Sequence, residues 1–220
     1  MSSEKIITTG MIPFHSYPVV KEETEFRLND NEMNFIKGED IRKGVGDIKV
    51  GSHRMRGFDT TKNAKILHEQ PLQRVRKFIW NRVNNYVENI LSIENYFYLT
   101  QSWVTFNEKG SYHHQHTHPN AIFSCVYYVQ VDSGDFQLKM PFSRLQEGFN
   151  FKYPKKQDNI WNSHTFTTKV KTGDVIIFPG WVPHQSTPNM SDTTRILFAS
   201  NYFIKGTIGS LKEKDEITIR

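Results

Sequence analysis

Short apolar runs bounded by turn residues most strongly limit how the second half of the chain can fold. Val175-Ile-Ile-Phe178 lies between the turn signals Thr172-Gly-Asp174 and Pro179-Gly180, and a longer run extends from Arg195 to Ile204. Runs of this length and composition, bounded by glycine and proline, predict β-strands. The later strand would place alternate side chains on one face, namely Arg195, Leu197, Ala199, Asn201 and Phe203.

Arg195 therefore heads a mostly apolar row of side chains. A guanidinium in an apolar interior is costly unless an anion meets it. Its planar fork suits a carboxylate. Two interpretations follow: a structural ion pair with a core Asp or Glu, or an anchor for a carboxylate ligand.

Four of the nine histidines fall within six positions, at His113, His114, His116 and His118. On extended backbone His116 and His118 would project to the same side, so both imidazoles could bind one divalent metal. Pro119 would end the strand and leave both rings at an open rim. His114 with His116 has the same parity and is an alternative pair. The competing interpretation is a solvated polar loop that binds metal only adventitiously.

A candidate third ligand, His184, follows the predicted strand at 175–178, and Arg195 comes eleven residues later. This order, His116-x-His118, then His184, then Arg195, resembles the 2-oxoglutarate and Fe(II)-dependent oxygenases. Phe106 to Gly110 is similar to the approach to the metal motif in prolyl hydroxylases. Ser124-Cys-Val-Tyr-Tyr-Val129 is similar to their next strand. Over roughly residues 100 to 204 the chain resembles a bacterial and phage family of 2-oxoglutarate-Fe(II) oxygenases.

The resemblance implies a mainly β fold with flanking helices, a double-stranded β-helix or jelly roll. It implies that His116, His118 and His184 are the catalytic metal ligands for Fe(II). Arg195 and Tyr128 would bind 2-oxoglutarate, with O2 as the other cosubstrate. The implied activity is a dioxygenase that hydroxylates an unknown substrate, and prolyl-hydroxylase similarity makes a peptide or protein side chain one candidate.

One position departs from the superfamily pattern, because His118 stands where a ligating Asp or Glu is usual. No Asp or Glu lies between Glu108 and Asp132 to replace it. A three-histidine site is that of the cupin-type thiol dioxygenases, which do not use 2-oxoglutarate, so such an enzyme is an alternative. A non-catalytic jelly-roll binding module is a further alternative.

The 220 residues, 37% hydrophobic, predict a single domain. We divide it into an N-terminal helical and strand support (1–99), a β-helix core (100–204) and a C-terminal tail (205–220). Within the support, an N-capped helix is predicted at 28–37, a loop or loose hairpin at 38–58, and an amphipathic helix from Leu72 to Ile90 that packs outside the larger sheet. The aperiodic segment 143–167 is a candidate substrate lid, with Trp161 or Tyr153 touching substrate.

Composition narrows the remaining function classes. Cys125 is the single cysteine, which excludes an intrachain disulfide, and we expect it to be a buried apolar residue. No apolar run has transmembrane length and the start is not a signal peptide, so we expect a cytoplasmic protein without membrane contact. Between Arg54 and Arg82, eight Lys or Arg residues oppose Asp59 and Glu69. We favour a solvated helix face over a nucleic-acid footprint for this segment.

Overall fold

The computed structural model describes residues 18–50, 53–140, 154, 156–159 and 162–219. Helix α1 is Asp30–Gly38 and helix α2 is Gln73–Asn85. Two 3-10 turns, Ile66–His68 and Gln70–Leu72, precede α2, and a single π-helical turn, Tyr86–Ile90, follows it. The strands are β1 (Val20–Glu22), β2 (Ile41–Val45), β3 (Ile48–Val50), β4 (His53–Met55), β5 (Phe58–Thr61), β6 (Tyr96–Asn107), β7 (Phe123–Gln130), β8 (Phe136–Lys139), β9 (Thr165–Thr168), β10 (Val175–Pro179), β11 (His184–Ser186), β12 (Arg195–Ile208) and β13 (Ile217–Ile219).

Most strands form one antiparallel major sheet in the order β1-β10-β7-β12-β6-β5-β2, with β13 paired to β12. A minor sheet has the order β11-β8-β9, and β3 and β4 form a separate hairpin. Phe136 and Leu138 of β8 pack with Val126, Ile176 and Leu197 of the major sheet, so the two sheets share an apolar layer. The predicted mainly β jelly roll with flanking helices is confirmed.

The central strand β12 separates two apolar layers because its side chains alternate. Ile196 and Phe198 belong to the core on the helix side. Leu197 and Ala199 belong to the core between the sheets. β12 pairs with β6 on one edge and with β7 on the other. Arg195, at the start of β12, therefore lies between β6 and β7.

The helices cover the outer face of the major sheet, as the apolar stripe predicts. Val75, Ile79 and Val83 of α2 are buried in the core that contains Tyr127 and Phe198. Pro71 lies in the turn that starts the helical segment. The other predicted helix also forms, and Asn29 caps it in a reciprocal pair with Glu32.

The chain outside the core is more regular than its sequence indicates. The segment 38–58 contains β2, the β3–β4 hairpin and the start of β5. The boundary predicted at 204 falls inside β12, and the following residues return as β13. Within the described ranges, no helix is long and apolar enough to cross a membrane.

Candidate active site

The histidine-rich segment lies between β6 and β7 and is not a strand, so that part of the sequence prediction is wrong. It contacts β11 of the minor sheet, where the backbone N–H groups of His116 and His184 each donate to the other residue's carbonyl at 3.0 Å. The backbone N–H of Ser186 also donates to the His113 carbonyl at 3.0 Å. Gly110 (φ +77°) and Asn120 (φ +59°) turn the backbone on either side of this contact. Left-handed conformations interrupt an extended ladder, which is why two-residue alternation does not continue through the segment.

The structure nevertheless brings His116, His118 and His184 together. One ring nitrogen from each lies within 4.8 Å of the others. The Nε2 atoms of His118 and His184 are 3.1 Å apart. With metal–nitrogen bonds of about 2.1 Å, two ligands at right angles lie about 3.0 Å apart. The separation of these two nitrogens therefore fits neighbouring ligand positions on one metal.

Backbone carbonyls fix the tautomers of two of these rings. Nδ1 of His116 is 2.8 Å from the carbonyl of His114, and Nδ1 of His184 is 2.9 Å from the carbonyl of Val182. A carbonyl only accepts, so each Nδ1 carries the proton and donates. The lone pair of each Nε2 is left free, which is the state a metal ligand requires.

Burial keeps the imidazoles neutral. It lowers the pKa of His118 to about 3, with a further contribution from His116. It also lowers the pKa of His116, and that of His184 falls well below its ordinary value. Neutral rings offer lone pairs at pH 7, and a three-histidine set brings no negative charge to a bound cation.

The other two histidines of the segment lie outside this group. His113 stacks on His116, with ring centroids 4.0 Å apart, and its other face meets Phe58 at 3.8 Å. His114 faces Gly46, and its buried Nδ1 has no hydrogen-bond partner in the part of the chain that the structure describes. The alternative pair of His114 with His116 is therefore not assembled with a third ligand in the described part of the chain.

Arg195 is buried beside the histidines and is 1% exposed. Its guanidinium donates to Ser186 Oγ at 2.8 Å, to the Thr187 carbonyl at 3.1 Å and to Asn107 Oδ1 at 3.4 Å. All three acceptors are neutral, and none of the carboxylates in the described ranges lies within 4.0 Å. Burial lowers the pKa of Arg195. The interpretation as a structural ion pair thus has no partner among these residues.

A cavity joins Arg195's neighbours to the histidines. His116, His118 and His184 line it together with Tyr128 and Ser186. Its empty volume, including the open mouth, is about 410 Å³. Burial raises the pKa of Tyr128, so the phenol stays protonated and can donate a hydrogen bond.

Sequence reasoning missed Asn107, which lines this cavity, and Gly134, which lies against Arg195. Asn107 is fully buried, and among the described residues its Nδ2 has no acceptor, although its Oδ1 accepts from Arg195. Gly134 has φ +95°, and a Cβ there would lie 1.8 Å from Nη1 of Arg195. Asn107 ends β6 without a motif that marks it. The positive φ of Gly134 is suggested only by the Ser133-Gly134 turn signal.

Comparison with protein families gives the chemistry of this cavity. The model for the family described as "Putative 2OG-Fe(II) oxygenase" matches residues 101–201, which run from β6 to β12 and include the three histidines, Tyr128 and Arg195. Residues 101–201 match the 2-oxoglutarate-Fe(II) oxygenase family. The oxygenase is therefore an oxidoreductase whose cofactors are Fe(II) and 2-oxoglutarate. No curated protein sequence matches it significantly.

Solved structures similar to the oxygenase show the same fold. The α-ketoglutarate-dependent epimerase SnoN from nogalamycin biosynthesis is 14% identical, with a TM-score of 0.57 over 85% of this chain and 78% of that one. A Pseudomonas putida prolyl-4-hydroxylase is 12% identical, with a TM-score of 0.51 over 86% and 94%. HygX from Streptomyces hygroscopicus, solved with nickel, 2-oxoglutarate and hygromycin B, is 13% identical, with a TM-score of 0.53 over 86% and 84%.

The donor set fits the two cofactors. Three neutral ring nitrogens within 4.8 Å of one another, two of them only 3.1 Å apart, can serve as ligands to Fe(II). The buried guanidinium and the orphaned amide of Asn107 suit the distal carboxylate of a dicarboxylic acid. Trp161, Tyr153 and most of the predicted lid at 143–167 lie outside the described residues.

Proposed function

We propose that the oxygenase hydroxylates its substrate at a metal held by His116, His118 and His184, with the 2-oxoglutarate carboxylate held by Arg195 and Tyr128. The observation that carries this proposal is the convergence of three imidazoles beside a buried arginine that has no carboxylate partner among the described residues. A buried cation without an anion is costly. A dicarboxylate ligand would remove that cost, because Arg195 would then pair with it.

The chain contributes binding, orientation and protection from water. When bound, Fe(II) and 2-oxoglutarate supply the oxidation: the oxo acid loses CO2 to give succinate, and one atom of O2 enters a substrate C–H bond. His116, His118 and His184 would hold the Fe(II) through their ring nitrogens. Arg195 fixes the far end of the oxo acid, so its reactive end is directed at the metal.

Aromatic rings keep this centre dry and rigid. Trp103 stacks on His118 with centroids 5.7 Å apart, and Phe136 stacks on His184 at 5.6 Å. Phe178 meets the same His184 ring at 4.5 Å. Rings packed in this way limit rotation of the ligands and exclude bulk water, which strengthens the electrostatic contacts inside.

Anaerobic titration tests the proposal. Fe(II) followed by 2-oxoglutarate should produce a visible metal-to-ligand charge-transfer band in the parent protein. The band should weaken strongly in Arg195→Ala and persist in Lys43→Ala, which removes an exposed charge elsewhere. Aerobic turnover should then yield succinate. Absence of bound iron in the parent would refute the metal site.

A three-histidine dioxygenase that does not use 2-oxoglutarate is the second candidate. The neutral ligand set favours it, since His118 occupies the usual carboxylate position. That enzyme would bind Fe(II) and consume O2 without a charge-transfer band and without succinate. A non-catalytic binding module would retain its function in His184→Ala.

The substrate is the open part of the proposal, and a peptide or protein side chain is one candidate. Nucleic acid is not favoured as a partner, since several basic side chains of the segment 54–82 are paired with acids. Arg74 meets Glu32 at 2.6 Å, and Arg82 meets Glu22 at 3.5 Å. A cytoplasmic location fits the single buried thiol of Cys125.

A further inference from the structure

The histidine centre has a second opening, on the side of β2 and β5. Trp103, His113, His116 and His118 line both the cosubstrate cavity and a groove on this side. The groove contains about 620 Å³ of non-atom space, including the part open to solvent. The cosubstrate carboxylate end lies across the histidines from this groove, because Tyr128 and Ser186 line only the other cavity.

We infer that this groove binds the primary substrate, and that Arg42 recognises a carboxylate or phosphate group on it. The inference rests on the proposed function, because it places the substrate on the open side of the proposed metal ligands. It identifies the substrate class as an anion with an apolar or aromatic body.

The first argument for this inference is the charge of the side chains that line the groove. Among the described residues that line the groove, Arg42 is the one cation and none is acidic. Arg42 is exposed, and within the described ranges its side chain makes neither a hydrogen bond nor an ion pair. A guanidinium with all five donors available at the rim of a groove suits a carboxylate or phosphate in a bidentate contact.

The rest of the groove offers little other polar recognition. The hydroxyl of Thr60 donates to the Val104 carbonyl at 3.0 Å. That of Thr61 donates to the Asn63 carbonyl at 3.3 Å and accepts the Val104 N–H at 3.1 Å. Because both hydroxyls are committed to the backbone, a ligand would meet them mainly through their methyl groups.

The remaining surface is apolar and aromatic. Phe58 and Val45 of the β2–β5 wall line the groove together with Trp103. Phe58 packs against His113 with the two rings tilted by 39°, and Trp103 stacks on His118. Rigid rings of this kind favour an apolar or aromatic ligand body.

Strand positions give the approximate size of the ligand. Arg42 of β2 is paired with Thr60 of β5, which is paired with Thr105 of β6. Two strand spacings separate β2 from β6 by about 10 Å. A molecule of about one ring with an anionic substituent spans this width.

Lys43 provides a matched control. It follows Arg42 on β2 and lines a different hollow, which also contains Asp47 and Asp59. Neighbouring strand residues point to opposite faces, so removal of the Lys43 charge should leave the groove unchanged.

The test is a set of NMR titrations of the 15N-labelled full chain, metal-free and loaded with Zn(II) and 2-oxoglutarate. The probes are phenyl phosphate, benzoate and benzyl alcohol, which separate the two anion types from the shared aromatic ring. The reporters are the Thr60 and Thr61 amides and the Trp103 indole N–H, which Trp103→Phe assigns.

We expect phenyl phosphate or benzoate to shift these signals, with a Kd about 5- to 10-fold higher in Arg42→Ala. Arg42→Lys should fall between parent and Arg42→Ala, since it keeps the charge and loses the fork. Lys43→Ala should match the parent, and benzyl alcohol should bind parent and Arg42→Ala equally. Equal anion binding by parent and Arg42→Ala, or an equal loss in Lys43→Ala, would overturn the inference.

The two titrations separate failure of this inference from failure of the proposed function. If anion binding depends on Arg42 but the protein fails to bind Zn(II), the groove inference would stand and the proposed metal site would be refuted. Bound Zn(II) and 2-oxoglutarate with no dependence on Arg42 would keep the metal site and remove the groove.

Discussion

Substitution of Gly134 by alanine should disable the cosubstrate site without touching a residue that contacts the metal. The new Cβ would lie 1.8 Å from Nη1 of Arg195 and 3.1 Å from the Thr187 carbonyl oxygen. Because the first distance is far below van der Waals contact, the guanidinium must move. Its hydrogen bonds to Ser186 and Thr187 would be disturbed with it.

The substitution should have one effect on folding and a separate effect on the binding of 2-oxoglutarate. Alanine at φ +95° costs about 1–3 kcal/mol of folding free energy through backbone strain alone. A displaced Arg195 would lose a charge-assisted hydrogen bond to 2-oxoglutarate, which contributes about 1.5–3 kcal/mol. The Kd for 2-oxoglutarate should therefore rise by about 10- to 100-fold.

Gly206→Ala is the matched control, because Gly206 has φ +101° and a Cβ there would meet nothing within 4 Å. Both variants should lose thermal stability through backbone strain, and Gly134→Ala should lose more because the buried hydrogen bonds of Arg195 are also disturbed. The charge-transfer band of the Fe(II) complex, titrated with 2-oxoglutarate under anaerobic conditions, should report weak binding in Gly134→Ala alone. Equal 2-oxoglutarate affinity in the two variants would refute the role given to the close approach of Gly134 and Arg195.

Three further outcomes are expected. Asn107→Leu should raise the Kd for 2-oxoglutarate about tenfold, as expected for one lost hydrogen bond to a charged group; an unchanged Kd in calorimetry would mean that the buried Nδ2 does not face the ligand. A divalent metal at 100 times its Kd should stabilise the folded chain by about 2.7 kcal/mol and raise its Tm by roughly 5–10 °C, whereas His184→Ala should show no such shift with metal or after chelation. In metal-free protein, the folded pKa of His118 is about 3, below the ordinary value of 6.5, so its contribution to stability is present above pH 6.5 and is lost as the pH falls towards 3. Urea unfolding should show a loss of about 1.4 kcal/mol from this one group between pH 7.5 and 5.5. In His118→Gln, the pH dependence of the free energy of unfolding should be smaller by the contribution of one proton.

The residues of the candidate site that sequence reasoning found are those whose chemistry is unusual for their surroundings. Burial of three histidines and an arginine beside apolar strands costs free energy unless they bind something. The sequence alone indicates this, because these residue types adjoin apolar strand patterns. Asn107 and Gly134 carry no such signal. Asparagine ends many strands, and glycine forms many turns, so only the packed structure shows that one amide lacks an acceptor and that one glycine makes room for Arg195.

The fold likewise contains elements that the local sequence predicts and elements that depend on long-range contacts. Local sequence patterns were enough for α2, β10 and β12, because their apolar patterns are strong, whereas β7 was expected from the family resemblance of Ser124 to Val129. The histidine segment failed as a strand because its conformation depends on a long-range bridge to β11 and on two left-handed residues. The pairing of β5 with β6 likewise depends on contacts more than forty residues apart along the chain, which no local pattern specifies.

The paired backbone hydrogen bonds between His116 and His184 have a consequence for how a metal would enter and leave. They join a loop and a strand that are 68 positions apart, and because both are backbone hydrogen bonds, neither uses a ring nitrogen or needs a bound ion. The conformational entropy of bringing these two ligands together is thus lost during folding and not during metal capture. Metal exchange should accordingly proceed on the folded chain, with apo and loaded forms of nearly the same compactness, unlike small zinc domains, which unfold when their ion leaves.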